Sequence, residues 1–212
     1  MADLKTHYLG IELNNPVIVS SSGLSNSLNK IEKLSRHGAG AIVLKSIFEE
    51  QINMEAGNML KDASYPEAED YIRAYAKSNA LDEYLKLIED AKKTVDTPII
   101  ASINCISSEE WVGFAGAMEQ AGADALELNV FYLPDSNIRN GNEIEELYFA
   151  ILGAVKKKVS IPLSIKLGQH FSNLPVFVNH LKGNGAKGVV LFNRFYAPDI
   201  DTEEITFTSS EV

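Results

Sequence analysis

Pro98-Ile99-Ile100-Ala101-Ser102-Ile103 and, 24 residues after that proline, Gly122-Ala123-Asp124-Ala125-Leu126-Glu127-Leu128-Asn129 decide the fold. Each stretch carries a short run rich in Ile and Leu with little alternation, the pattern of a parallel strand buried on both faces. One run is entered through a proline, whose missing N–H costs nothing at the first residue of a strand. The other is entered through a Gly-Ala pair, and glycine suits the left-handed position that closes a helix. Between them Glu109 to Gln120 carries Trp111, Phe114 and Met118 at helical spacing.

The same two entries recur outward along the chain. Pro16 precedes Val17-Ile18-Val19, and Gly38-Ala39 precedes Ala41-Ile42-Val43-Leu44-Lys45. Pro162 precedes Leu163-Ser164-Ile165-Lys166, and Gly185-Ala186 precedes Gly188-Val189-Val190-Leu191-Phe192-Asn193. Proline and glycine lie 22, 24 and 23 residues apart in the three units. Each interval fits one strand and one helix of about three turns. The first helix, Asn29 to His37, carries Ile31 and Leu34 and is expected to be capped by Ser25 or Asn26, and the next by Ser107 or Ser108.

This alternation predicts an α/β fold with a parallel sheet. No G-x-G-x-x-G follows the first strand, which argues against a dinucleotide-binding open sheet. The two-unit alternation fits a TIM (β/α)8-type barrel, where odd and even strands fill different interior layers. An open doubly wound sheet is the competing arrangement. Only six strands are readable. Residues 1–212 are therefore expected to form a single barrel domain lacking the last two βα units, with unpaired edges on the first and sixth strands.

Composition narrows the function. Lys and Arg number 19 and Asp and Glu 29, a net charge of −10 without a basic run, which excludes nucleic acid and anionic membrane surfaces as expected partners. Cys105 is the sole cysteine, so neither an intrachain disulfide nor a cysteine-based metal site is expected. His7, His37, His170 and His180 form no metal-ligand spacing. There is no apolar stretch of membrane-spanning length, and Met1 to Tyr8 is polar without a signal-peptide core. A cytoplasmic protein is the expectation.

The working face follows from the strand ends. The first strand ends in Ser20-Ser21-Ser22-Gly23, the second in Lys45-Ser46, the third in Asn104-Cys105, the fourth in Asn129, the fifth in Lys166 and the sixth in Asn193. In a parallel sheet these fall at one end, where barrel enzymes place their sites. A lysine there needs an anion or a carbonyl, so two lysines and three amides point to a planar, carbonyl-rich or anionic ligand. Glu127 shares a face with Asn129 one layer deeper and is expected to pair with Lys45 or Lys166. His170 follows the fifth strand near the mouth. The intervals from Gly38 to Pro98 and from Gly122 to Pro162, 60 and 40 residues, place extra chain on the same face. Gln51-Ile52-Asn53-Met54, Tyr71-Ile72-Arg73-Ala74-Tyr75 and Phe131-Tyr132-Leu133-Pro134-Asp135 in those intervals are candidate lid loops.

Taken in order, these motifs resemble the dihydroorotate dehydrogenase family. Tyr8-Leu9-Gly10-Ile11-Glu12-Leu13-Asn14-Asn15-Pro16-Val17 is similar to its entry hairpin and first strand. Ser21-Ser22-Gly23 resembles its Ala-Ser-Gly turn against the flavin, and Lys45-Ser46 its Lys-Ser pair. Glu127-Leu128-Asn129 resembles its Glu-Leu-Asn, Ile165-Lys166-Leu167 its flavin-side lysine strand, and Asn193 its second substrate asparagine. The resemblance runs from about Leu4 to about Asp201. It implies FMN held by Ser21, Ser22, Gly23, Lys45, Ser46 and Lys166, and a dihydropyrimidine-like substrate of pyrimidine biosynthesis held by Asn129 and Asn193. It implies hydride transfer to the flavin, with Lys45 or Lys166 stabilising negative charge on it.

Two features depart from the family. Where it carries a Cys or Ser base, this chain reads Asn129-Val130-Phe131-Tyr132-Leu133-Pro134-Asp135, so Tyr132 is the hydroxyl in that place and Asp135 replaces a substrate-holding asparagine. Strands seven and eight, which bring the phosphate-binding loops, are not readable. The alternative expectation is a non-catalytic remnant or a partner-binding subunit, completed by a second copy or another chain. An anion- or phosphosugar-handling barrel without flavin is a third, since fold alone does not set function.

Overall fold

The computed structural model describes residues 2–61, 68–105, 108–132, 139–194, 196–203 and 206–211. In chain order the elements are β1 (Thr6–Tyr8), β2 (Ile11–Leu13), β3 (Ile18–Val19), α1 (Leu28–Arg36), β4 (Ala41–Val43), β5 (Ile47–Phe48), α2 (Glu49–Lys61), α3 (Ala68–Thr94), β6 (Ile99–Asn104), α4 (Ser108–Gln120), β7 (Ala125–Asn129), α5 (Gly141–Lys156), β8 (Leu163–Leu167), α6 (Leu174–Gly183), β9 (Gly188–Leu191), β10 (Tyr196–Asp201) and β11 (Thr206–Glu211).

The six foreseen strands pair in parallel in the order β3-β4-β6-β7-β8-β9, with β5 also paired to β6. This is a six-strand half-barrel that stays open, with β3 and β9 at its ends. Helices cover the outer face. Ile31, Ile88, Trp111, Phe114, Leu152 and Phe177 from five helices bury against the outward residues of the strands, among them Ile42, Ile103, Leu126 and Ile165. Burying a side chain of this size stabilises by roughly 1.5–3 kcal/mol, so this layer holds the sheet in shape. Gly38, Gly122 and Gly185 all have positive φ, at 85°, 96° and 105°, as the helix-closing reading requires.

The inner face is plugged from below by the antiparallel hairpin β1–β2, turned through Leu9 and Gly10 at φ 57° and 82°. Leu9 and Leu13 bury against Ala41, Val43, Ile100 and Ala125. The chain then passes so near the start of β4 that a Cβ on Gly40 would lie 2.2 Å from the Asn15 carbonyl oxygen. The Gly40 N–H donates to the Val17 carbonyl at 2.8 Å, and Asn15 Nδ2 donates to the Gly38 carbonyl at 2.9 Å.

Four features differ from the sequence expectations. The long interval after the second strand is helical, not a lid loop. Ile52, Ala56, Ala76, Ile88 and Ala91 sit at helical spacing on α2 and α3 and are buried. The N-cap of α1 is Ser27 without a side-chain cap. Ser25 instead donates to the Ser22 carbonyl, and Asn26 Oδ1 accepts from Lys30. Ser107, the other expected cap, and Leu133 to Asp135 lie outside the described residues. Beyond β9, β10 and β11 form an antiparallel hairpin that the sequence reading missed.

The fourth difference is a bulge. Val43 pairs with Ile100 and Ile47 with Ile103, so four steps on the β4–β5 side face three on β6. The extra residue interrupts the ladder opposite Ser102. The Tyr84 hydroxyl from α3 fills the gap, accepting from the Ser102 N–H at 2.9 Å and donating to the Ser102 carbonyl at 3.1 Å. A buried backbone pair left without partners would be costly.

Gly40→Ala is expected to lower unfolding free energy in urea by about 1–3 kcal/mol, because the backbone it meets cannot move aside. Gly153→Ala, inside α5 where a Cβ meets nothing within 4 Å, is expected to raise it by about 0.5–1 kcal/mol. Equal effects of the two would refute the close approach at Gly40.

Candidate functional site

Alternation sets the inner face. Ile100, Ser102 and Asn104 on β6 point inward, as do Ala125, Glu127 and Asn129 on β7. The inward residues rise from the apolar plug through a polar middle layer to a polar mouth. On β8, Lys166 is in register with Asn129, and Ser164 with Glu127. The bulge resets the phase on the second strand. By alternation from Ala41 and Val43 the next inward residue is Lys45, but the extra residue turns Ser46 inward instead, as bulges beside functional sites often re-aim a side chain.

Ser46 then becomes a junction. Its N–H donates to Ser21 Oγ at 2.9 Å, and its Oγ lies 3.0 Å from Ser21 Oγ and 2.7 Å from Ser102 Oγ. Asn129 Nδ2 donates to Ser46 Oγ at 3.4 Å, and Asn193 Nδ2 donates to Asn129 Oδ1 at 2.6 Å. Asn104 Nδ2 donates to the Asn129 carbonyl at 2.8 Å. Strand ends β3, β5, β6, β7 and β9 are thus joined by side chains in one polar set. Ser22 and Gly23 form the turn above it. Ser22 Oγ accepts from the Leu24 N–H at 3.2 Å.

Glu127 is 2% exposed, and Ser102 Oγ donates to its Oε1 at 3.1 Å. Burial raises its carboxyl above the ordinary range, while the Lys166 charge and the Ser102 hydroxyl pull it down. The expected ion pair is therefore corrected: Lys166 acts at a distance, and among the described residues Glu127 has no cation within 4 Å. A cavity of about 280 Å³ beneath is bounded by Tyr8, Ile18, Val43, Ile100, Glu127 and Ser164, with others. Burial raises the Tyr8 phenol, moderated by the adjacent Ser164 hydroxyl.

The other expected residues lie apart. Lys45 is exposed and borders a separate pocket of about 250 Å³ with Asn26, Ser46, Gln51 and Glu83. Tyr132 borders a third pocket, of about 380 Å³, with Asn104, Cys105, Phe131 and Arg139. The Arg139 guanidinium lies 5.7 Å from the Tyr132 ring centroid. Burial, and then the Glu49 and Glu110 carboxylates, push the Cys105 thiol up, which favours its protonated form. His170 is exposed in the connection after β8. The sequence reading missed Ser102 and Tyr84. Ser102 had a signal, a lone hydroxyl in an apolar run on the face of Asn104. Tyr84 had none, because its target is a backbone gap made by the bulge.

Several features suit a flat, anionic or carbonyl-rich ring. The mouth offers Ser21, Ser46, Asn129, Asn193 and Lys166. A Cβ added to Gly23 would meet nothing within 4 Å, and its φ is not positive, so neither packing nor backbone explains a glycine there. A bare face on that turn lets a ring approach closely. Among the described residues no group of His, Cys, Asp and Glu is arranged to hold a metal ion, and no helix is long and apolar enough to cross a membrane.

A family model described as dihydroorotate dehydrogenase matches residues 3–195. The chain is 28% identical over 204 residues to the dihydroorotate dehydrogenase B (NAD(+)) catalytic subunit of Thermoplasma acidophilum, covering 95% of this chain and 65% of that protein. It is 30% identical over 198 residues to the protein of the same description from Methanothermobacter thermautotrophicus, covering 90% and 61%. A putative dihydroorotate dehydrogenase A (fumarate) from Aquifex aeolicus is 28% identical, covering 90% and 62%. The chain thus spans under two thirds of the length of these relatives. Among solved structures, the dihydrodipicolinate synthase of Bacillus clausii superposes with a TM-score of 0.51 at 13% identity, over 84% of this chain and 53% of that one. That likeness speaks for the barrel fold alone.

The raised Glu127 carboxyl fixes the sign of a pH effect. Its favourable share of stability is complete below the ordinary carboxylate value of 4.5 and is lost as pH rises through the raised value. Glu127→Gln stays neutral, so its urea midpoint is expected to gain on the wild type as the pH is raised through a window that opens at 4.5. Curves that stay parallel across that window would refute the buried, proton-favouring site.

Proposed function

Because the chain belongs to the dihydroorotate dehydrogenase family, we propose that it binds FMN at the C-terminal end of its half-barrel and oxidises a dihydropyrimidine-like ring there. The observation that carries this reading is the joined set of Ser21, Ser46, Asn129 and Asn193 at one end of the sheet, in register with Lys166. Ser21, Ser22 and Gly23 would lie against the ring system, with Ser46 and Lys166 at its edge. When bound, FMN supplies a two-electron acceptor for the hydride.

The chain's own residues do the rest. Lys166 places a positive charge beside the mouth, where it favours developing negative charge in a site of reduced dielectric. Asn129 and Asn193 orient the substrate, and their mutual hydrogen bond holds both amides in one geometry. Tyr132 stands in the stretch where the family carries Cys or Ser, but it borders a separate pocket with Arg139, so no base is assigned to the substrate proton.

The open edges support a partner as well. β3 and β9 end the sheet, and Val17 and Leu191 beside them are 63% and 50% exposed. We propose that a second copy of the chain or another chain covers these edges. Two relatives are described as catalytic subunits, which fits a protein that works in an assembly.

The experiment is a visible absorption spectrum of the purified chain before and after adding FMN, followed by anaerobic reduction with dihydroorotate. A bound-flavin spectrum that bleaches with dihydroorotate is expected. Lys166→Ala is expected to weaken FMN binding at least about tenfold, or about 1.4 kcal/mol, with an unchanged circular dichroism spectrum. A chain that takes up no FMN, alone or with a partner, would overturn the reading. Light scattering is expected to show an assembly larger than the single chain, and a lone monomer would overturn the second-copy form of the edge proposal.

A further inference from the structure

Three serine hydroxyls lie end to end between the mouth and Glu127. Ser21 Oγ is 3.0 Å from Ser46 Oγ, Ser46 Oγ is 2.7 Å from Ser102 Oγ, and Ser102 Oγ is 3.1 Å from Glu127 Oε1. Each hydroxyl has one hydrogen and two acceptor positions, so the row has two satisfied arrangements. With Glu127 ionised, the hydrogens point inward: Ser21 to Ser46, Ser46 to Ser102, Ser102 to the carboxylate. With Glu127 protonated they point outward: Glu127 to Ser102, Ser102 to Ser46, Ser46 to Ser21. The Ser46 N–H to Ser21 and the Asn129 amide to Ser46 serve both arrangements unchanged. The outward arrangement leaves the Ser21 hydrogen for a group at the mouth.

We propose that Ser21, Ser46 and Ser102 form a proton wire between a ligand at the mouth and Glu127, and that Glu127 stores the proton the ligand takes up or releases. The ligand class is a planar heterocycle carrying an enolate or a deprotonated ring nitrogen. The inference rests on the proposed function only for that ligand's identity. Delivery breaks the Glu127 O–H bond and three serine O–H bonds. It forms three serine O–H bonds and one bond from hydrogen to the ligand's oxygen or nitrogen. Glu127 is left as a carboxylate, and no electrons change hands.

The surroundings suit a store. The carboxyl is 2% exposed, so its proton can leave only along the serine row or through the cavity beneath. Burial favours the neutral form, while Ser102 and the Lys166 charge from β8 favour the ionised one, so both forms are reachable. Tyr8 from β1 and Tyr84 from α3 are the other titratable groups facing it, and burial keeps both phenols neutral. A direct pairing with Lys166 would hold the carboxyl ionised. Here the direct partner is a hydroxyl that leads outward.

The test needs no flavin, so its failure is separate from failure of the proposed function. The full chain is labelled with 13C at the glutamate carboxyls, Glu127 is assigned through Glu127→Gln, and its resonance is followed through a pH titration. One peak that moves continuously is expected in the wild type, the sign of rapid proton exchange. Ser46→Ala cuts the wire without touching Glu127 and is expected to slow exchange about 100-fold, the low end of what a positioned proton donor contributes, splitting the signal into two peaks. Ser46→Thr keeps the hydroxyl and is expected to restore the single peak. A single moving peak in Ser46→Ala would overturn the wire, since the proton would then travel through the cavity below. Two peaks in the wild type would overturn it equally, as would two in Ser46→Thr when that variant folds like the wild type by circular dichroism.

Discussion

A parallel strand that gains one residue against its neighbour must turn its side chains over, and the rest of this site depends on that constraint. The extra residue between β4 and β5 brings Ser46 to the inner face and leaves the Ser102 backbone facing no strand. One phenol from α3 repairs the gap, donating and accepting at once. The repair explains why the insertion after the second strand is helical. A loop would not hold a hydroxyl at a fixed point against the sheet, whereas a helix packed through Ile88 and Ala91 does.

From that point the polar layer assembles by proximity. Ser46 reaches Ser21 on one side and Ser102 on the other, and Ser102 reaches Glu127. Hydroxyls and a carboxyl inside an apolar sheet are tolerated because each finds a partner. Below them the hairpin plug keeps the lower lumen apolar, and above them the amides and Lys166 face the mouth. The result is a gradient from apolar to polar along the strands. It lets a buried acid communicate with a ligand site without being exposed to it.

The open sheet is the second organising fact. A half-barrel leaves its first and sixth strands at the ends of the sheet, and open parallel edges invite pairing. The outer helices stabilise the curvature without closing it, because their contacts are with strands already in the sheet. Closure is what the proposed partner over β3 and β9 would supply. The mouth, in contrast, is built from residues this chain carries.

The sequence by itself determined the strands, their order of entry and the face that carries the polar ends. Those follow from local rules: proline before a strand, glycine at positive φ after a helix, and apolar runs without alternation, all seen at Pro98, Gly122 and Ala125 to Asn129. Ser21, Ser46, Asn129, Lys166 and Asn193 were legible because strand ends in a parallel sheet share one end. Only the tertiary structure decided that Ser46 and not Lys45 points inward, that Ser102 links the mouth to Glu127, and that Tyr84 closes the gap. A bulge is a difference of one residue between two strands paired across 57 positions and then 56. Neither strand's own sequence encodes that difference, and it comes into being only when the two lie side by side.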